Sequence, residues 1–254
     1  MKSPFLVATG LGAIALVAAF APAVWTMLSN PPVAAESTRV AGDTPWSITT
    51  TLSGGTRVFG LALPGSTLGE ASDRWGDGLT LAVIAAPVTP NAAAASRPQL
   101  ALEGYVERFQ SGPIAGRLLL AFDAEPASLA RWRDTLPGKP TESGARRHVL
   151  RGVPLAEARA AALVGVSFIP AAQLDEEIVE VRFGRPAGRI RENERLEHWL
   201  YPSVGLALAL DADGKEVLQY VAPADFERLL AGPLRSLAAP PAAAGAGASP
   251  SMPR

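Results

Sequence analysis

The longest feature in the pattern of polar and apolar positions is a run without charge. From Ser3 to Asn30 no charged residue occurs, and Pro4 to Leu28 is mostly apolar with Lys2 before it. A signal peptide carries an apolar core of roughly 7–15 residues, whereas a spanning helix needs about 20. The run therefore predicts a single-pass inner-membrane anchor through residues 4–28, within which Pro22 is tolerable. Lys2 on the short side places the amino terminus in the cytoplasm and the main domain in the periplasm. Val33-Ala34-Ala35 before Glu36 puts small residues where signal peptidase takes them. The alternative is secretion to the periplasm after cleavage near Ala35.

Beyond a Pro/Ala-bearing linker, short apolar segments alternate with turn residues. Ile48 to Leu52 and Arg57 to Leu63 read as strands around a Ser53-Gly54-Gly55-Thr56 hairpin loop. Thr67 and Glu70 fit a capping box that opens a helix closing at Trp75-Gly76. Leu79–Ala85, Leu100–Arg108 and Arg117–Phe122 are expected strands, with a Pro/Ala loop from Ala86 to Gln99. Pro126 to Leu136 is an expected helix with Leu129, Trp132 and Leu136 on one stripe. After a polar linker from Pro137 to Gly144, Ala145–Leu150, Pro154–Ala161 and Leu163–Ile169 read strand, helix, strand.

The stretch from Leu174 to Val221 carries the clearest pattern. Asp175, Glu176 and Glu177 suit the first turn of a helix, where carboxylates meet the positive end of the dipole. Leu174, Ile178 and Val181 recur at i, i+4 and i+7, which predicts the buried stripe, and Gly184 with Pro186 stops the helix. Glu197 to Tyr201 is aromatic-rich, Gly205 to Leu210 alternates Leu with Ala, and Asp213-Gly214 is a strong hairpin signal. A two-residue loop there pairs Leu210 with Val217, Ala209 with Leu218 and Ala207 with Tyr220. Leu206, Leu208, Leu210, Val217 and Val221 then meet the preceding helix, while Ala207, Ala209, Leu218 and Tyr220 line the other face. His198 and Leu200 join that second face if Tyr201 pairs with Leu206. The second face is too apolar to be simply solvated, which makes His198, Leu200, Leu218 and Tyr220 the candidate partner surface. Pro223 to Leu230 is a closing helix, and the Pro/Ala/Gly/Ser-rich end reads as disordered.

Similar motifs recur in the same order. Arg74-Trp75-Gly76 matches Arg182-Phe183-Gly184, Leu102–Val106 matches Leu196–Leu200, and Arg117–Asp123 matches Gly205–Asp211. The expected fold is α+β: two diverged helix-plus-antiparallel-meander repeats behind an N-terminal membrane helix. The corresponding boundaries are 1–30 anchor or signal segment, 31–44 linker, 45–136 first repeat, 137–144 linker, 145–231 second repeat and 232–254 tail. Trp75 and Phe183 are the expected equivalent core plugs.

A net charge of −1 gives no electrostatic case for nucleic acid. With no cysteine and two histidines, disulfides, thiolate metal sites and structural zinc are not expected, and neither is any cofactor. Gly65-Ser66-Thr67-Leu68-Gly69 lacks the spacing of a nucleophile elbow, and Gly184 to Arg189 lacks the Lys-Ser/Thr ending of a phosphate loop. Glu197 and His198 are strand neighbours pointing to opposite faces, so they do not pair. His198 reads as a partly buried strand residue and His148 as a solvated one. Arg182, Arg185, Arg189, Arg191 and Arg195 alternate with Glu180, Glu192, Glu194 and Glu197, a self-compensated face. No catalytic residue is assigned.

The segments DEEIVEVRFGRPAGRI, EHWLYPSVGLALALDADGKEVLQYV and VFGLALPGSTLGEASDRWG resemble uncharacterised envelope proteins of proteobacteria, from which no activity carries over. More loosely, a helix ending in Phe-Gly-x-Pro before a meander is similar to the SmpA/OmlA outer-membrane lipoproteins and the tandem-repeat β-lactamase inhibitor proteins. The first resemblance departs at the missing lipidation cysteine, the second at the missing disulfides. Both imply binding or scaffolding. The expected function is therefore a membrane-tethered extracytoplasmic module with a protein partner in the envelope and no catalysis. The alternative is an envelope hydrolase with a dispersed site around His198 and a carboxylate such as Asp175 or Asp211.

Overall fold

The Leu-rich alternating segments form strands because one side of each can be buried at every second residue. The computed structural model describes residues 38–40, 44–86, 99–212 and 216–238. In chain order its strands are β1 (Thr38–Val40), β2 (Thr49–Thr50), β3 (Thr56–Val58), β4 (Leu61–Leu63), β5 (Leu79–Ala85), β6 (Leu100–Ser111), β7 (Ile114–Asp123), β8 (Gly138–Pro140), β9 (Arg146–Val149), β10 (Ala162–Pro170), β11 (Gly188–Arg191), β12 (Leu196–Tyr201), β13 (Leu206–Asp211) and β14 (Val217–Tyr220). The α-helices are α1 (Leu68–Trp75), α2 (Pro126–Thr135), α3 (Gly152–Ala158), α4 (Glu176–Phe183) and α5 (Gly232–Ala238), the last entered through a π-helical turn at Glu227–Ala231. The fold is α+β with mostly antiparallel sheets.

Ten strands run β11-β12-β13-β14-β10-β7-β6-β5-β9-β8 in one sheet, and β1 pairs in parallel with the far end of β6. Strands β2, β3 and β4 form a second, small sheet. The inner face of the large sheet carries Leu102, Leu118, Leu120, Phe168, Trp199, Leu206, Leu208 and Leu218, which pack with α1, α2, α4 and the small sheet in one core. On the outer face, Leu200, Ala207 and Val221 lie beneath Phe226, Leu229, Leu230 and Leu234 of the carboxy-terminal helical segment.

Local signals place several elements where the pattern predicts. Thr67 Oγ1 accepts the Glu70 amide at 3.3 Å and Asp175 Oδ1 accepts the Ile178 amide at 2.8 Å, each satisfying an orphan donor of a helix start. Gly205 sits at φ +68°, and a Cβ there would lie 2.0 Å from the Val221 carbonyl oxygen. Only glycine fits that close approach.

Other expectations are corrected. Arg57–Leu63 is not one strand: Phe59 at φ +52° and Gly60 at φ +75° turn the chain, so that Val58 pairs with Leu61. A two-residue turn with both φ positive suits strand twist, but Phe is a poor turn former by itself. Its ring is fully buried against Phe109, Phe168 and Tyr220 at 5.2, 5.4 and 5.7 Å, which holds the backbone there. Gly138–Pro140, read as linker, is an edge strand on β9. Gly232–Ala238, assigned to the tail, is helical. His148 is buried rather than solvated, with Nδ1 2.9 Å from the Leu136 carbonyl oxygen. Among the described residues no helix is long and apolar enough to cross a membrane, and the run from Pro4 to Leu28 lies outside them.

Candidate functional site

The four residues of the expected partner surface do not form one surface. Tyr201 pairs with Leu206, His198 with Ala209 and Leu200 with Ala207, so His198 and Leu200 share the outer face as expected. The next hairpin is displaced by one residue. Ala209 pairs with Val217, Leu208 with Leu218 and Leu206 with Tyr220. A one-residue slip exchanges the faces of a strand, which sends Leu218 and Tyr220 into the inner core. The expected register would have turned Gln219 inward beside Val217 and Val221. The observed one buries the larger apolar Leu218 and Tyr220 instead and leaves Gln219 half-buried on the outer face. Residues 213–215, with the Asp213-Gly214 pair, lie outside the described ones.

Tyr220 is fully buried, and its hydroxyl donates to the Pro45 carbonyl at 2.8 Å. Burial pushes the phenol well above its ordinary range. This side chain fastens the segment before β2 to the sheet and presents nothing to a partner. Leu200 is covered by the carboxy-terminal helical segment. His198 is 5% exposed, with Nε2 2.8 Å from Glu192 Oε2. That bond assigns the proton to Nε2, and the buried Nδ1 has no hydrogen-bond partner among the described residues. Asp175 is engaged as the cap of α4. Asp211, paired with Leu196, lies along the same outer face as His198.

The mixed Arg/Glu segment folds into an ordered cluster. Glu197 accepts from Arg191 at 2.9 Å, from the Trp199 indole at 2.9 Å and from Arg189 at 3.4 Å. The Arg189 guanidinium lies 4.0 Å over the Trp199 ring and 3.7 Å from Glu180. These arginines are substantially exposed, so the ion pairs contribute little individually. The indole bond matters more, because Trp199 is fully buried and its donor needs a partner.

Helix α4 turns a different side inward from the one expected. Val179 is fully buried and Phe183 packs on the core, against Tyr201 at 6.0 Å and edge-on to Trp46 at 6.4 Å. Ile178 is 40% and Val181 75% exposed. The helix begins at Glu176, with Asp175 as its cap. Leu174 is therefore buried from outside the helical period, and the helical stripe is Val179 to Phe183 at i, i+4. Phe183 is only half-buried, so it is not the equal of the buried Trp75.

One buried acid was not singled out from the sequence. Glu103 on β6 sits between Ala82 of β5 and Ala121 of β7. Burial pushes its carboxyl from 4.5 up to about 8, and Oε1 has no hydrogen-bond partner among the described residues. The available signal was a glutamate at the alternation position of a strand, but its alanine neighbours come from pairing that only the fold defines. Glu216 is raised too, by burial against hydrogen bonds from its own amide and that of Leu174. Among the described residues, no group of three or more His, Asp or Glu side chains is arranged to hold a metal ion. Comparison with protein-family models, curated proteins and solved structures finds no match to this chain.

Proposed function

We propose that the chain is a membrane-tethered extracytoplasmic binding or scaffolding module of the bacterial envelope, acting without catalysis. The observation that carries this reading is the outward face of α4, where Ile178 and Val181 stand in solvent on a helix whose other side is locked into the core. Exposed apolar side chains on a rigid element are what a protein partner uses. The charge-free run from Ser3 to Asn30 supports the tether. The resemblance to proteobacterial envelope proteins supports the location.

Two diverged helix-plus-meander repeats remain part of this proposal. Helix α1 is followed by β5, β6 and β7, and α4 by β11, β12 and β13. The matching segments Leu102–Val106 and Leu196–Leu200 fall in β6 and β12, Arg117–Asp123 falls in β7, and Gly205–Asp211 is β13 with the glycine before it. Alkaline extraction of membranes and amino-terminal sequencing of the native protein test the tether. Retention with an uncleaved start is expected, and a soluble protein starting at Glu36 would refute it. Affinity capture from crosslinked envelopes tests binding: Val181→Glu should deplete the captured partners, and an unchanged set would move the site elsewhere.

One observation favours an envelope hydrolase. The His198–Glu192 bond has the geometry of a base with its orienting carboxylate. Burial of the imidazole speaks against access, and His198→Ala should leave any hydrolysis found in an activity screen intact. Loss of that hydrolysis at an unchanged melting temperature would favour the enzyme.

A further inference from the structure

One buried cluster of the large sheet has no second layer among the described residues. Leu119 and Ala121 of β7, Ile169 of β10, Ala209 of β13 and Val217 of β14 are buried together on the outer face, and the half-buried residues packed on them are strand residues as well. A sheet face this apolar needs a layer over it. The carboxy-terminal helical segment lies over a different part, at Leu200, Ala207 and Val221. Leu119 is nevertheless only 1% exposed. Part of the face forms a row across the strands. Ile169 pairs with Arg117, Phe168 with Leu218 and Ala209 with Val217, which sets Arg117, Ile169, Val217 and Ala209 side by side from β7 to β13. The row starts near β1: Thr38 pairs with Phe109 of β6, and Phe109 with Gly116, the neighbour of Arg117. Upstream of Thr38 the chain cannot continue alongside β6, because Leu79 holds the place opposite Val106. The inner side at Phe109 is filled by the rings of Phe59, Trp75 and Phe168.

We propose that residues 29–37 of this chain run across the outer face along this row and form its covering layer. This deepens the tethered reading and rests on it, since cleavage near Ala35 would remove most of the segment. The order of the segment matches the row. Glu36, the only charged residue between Lys2 and Arg39, comes nearest to β1 and so to the buried Arg117. Pro31 to Ala35 carry only apolar side chains, which suit Ile169, Val217 and Ala209. Adjacent strands are about 4.8 Å apart, which puts Ala209 roughly 24 Å from Thr38. The segment has nine residues, and that many in extended form span ~30 Å. The other stretches outside the described residues start farther away. Residues 87–98 leave and re-enter at the opposite end of β5 and β6, and residues 239–254 follow α5, which packs at β11. The charge-free run is then joined to the domain by a fastened strap and not by a free spacer, which fixes how the sheet stands on the membrane.

The absence of cysteine makes the contact testable by intrachain disulfides. Full-length chains carrying Ala34→Cys or Ala35→Cys together with Ile169→Cys or Val217→Cys are oxidised in isolated membranes. A reducible mobility shift of the monomer is expected in at least one pair, and in none when the second position is Val153→Cys, exposed on α3. In the single variant Val217→Cys, a membrane-impermeant maleimide should react about tenfold more slowly than with Val153→Cys, as at a site reached only through local opening. A disulfide between copies through Val217→Cys would put a second copy on the face and overturn the proposal. Protection of Val217→Cys with no pair crosslinking would overturn it too, as would labelling as fast as at Val153→Cys. Amino-terminal sequencing of the same chains separates the two readings. A start at Glu36 removes the tether and the strap together, whereas an intact start without crosslinking removes the strap alone.

Discussion

Glu103→Gln is expected to stabilise the protein at pH 8 and above and to remove a loss of stability that the native chain suffers between about pH 4.5 and 8. The native carboxyl titrates near 8, whereas in the unfolded chain it returns to 4.5. Between those values the folded state holds a proton that the unfolded state has released. The unfolded state binds fewer protons, so stability falls as pH rises through this window and levels off once both states are ionised. Each unit of separation corresponds to about 1.4 kcal/mol, which places the full effect on the order of a few kcal/mol. Glutamine keeps the shape, carries no charge and removes the titration. The difference between native and variant chemical-denaturation stabilities, followed from pH 4 to 9, isolates this group from every other carboxylate. A difference that stays constant across the window would show that Glu103 is solvated or paired in the folded protein.

Phe59→Ala is expected to cost about 3–5 kcal/mol, the usual penalty for deleting a fully buried large aromatic. In a domain of this size that lowers the melting temperature by roughly 10 °C. The position is informative because backbone and side chain pull in opposite directions. A left-handed phenylalanine costs ~1–3 kcal/mol of strain, and Asn tolerates that conformation more readily. If the turn alone mattered, Phe59→Asn would stabilise. Because the ring fills the space between Phe109, Phe168 and Tyr220, Phe59→Asn should lose nearly as much as the alanine variant. A thermal melt of Phe59→Asn at or above the native temperature would remove the ring from its assigned role.

What could be read from the sequence was local. Strand Leu79–Ala85, the cap at Thr67 and the inward Leu129 and Trp132 of α2 depend on neighbours a few residues away, and each stands where the pattern places it. Phe59 misled because a turn formed around a phenylalanine is held by rings that come from β6, β10 and β14. His148 misled because its partner, the Leu136 carbonyl, sits across a hairpin whose first strand looked like linker. Half of the candidate surface, Leu218 and Tyr220, was lost at the register between β13 and β14, while His198 and Leu200 keep the expected face but are buried on it. Alternation there is equally good in either register until Gln219 is required to lie in or out of the core. The partner of His198 was not legible for a related reason: Glu192 reaches it from the turn between β11 and β12, six residues back along the chain.

The place of β10 in the sheet has a consequence for how the chain is made. Strand β10 bonds β7 on one side and β14 on the other, although β11, β12 and β13 intervene in sequence between it and β14. While the chain emerges amino terminus first, β7 waits with an open edge until Ala162–Pro170 arrives. Strand β10 then waits in turn until Val217–Tyr220 has passed. During each interval an unpaired, largely apolar strand is offered to any neighbouring nascent chain, and open edges of this kind are where aggregation starts. A chain interrupted after Pro170 would keep that edge for good. Premature termination between Pro170 and Val217 should therefore yield insoluble protein and not a smaller folded one, even though most of the inner core has been synthesised by then.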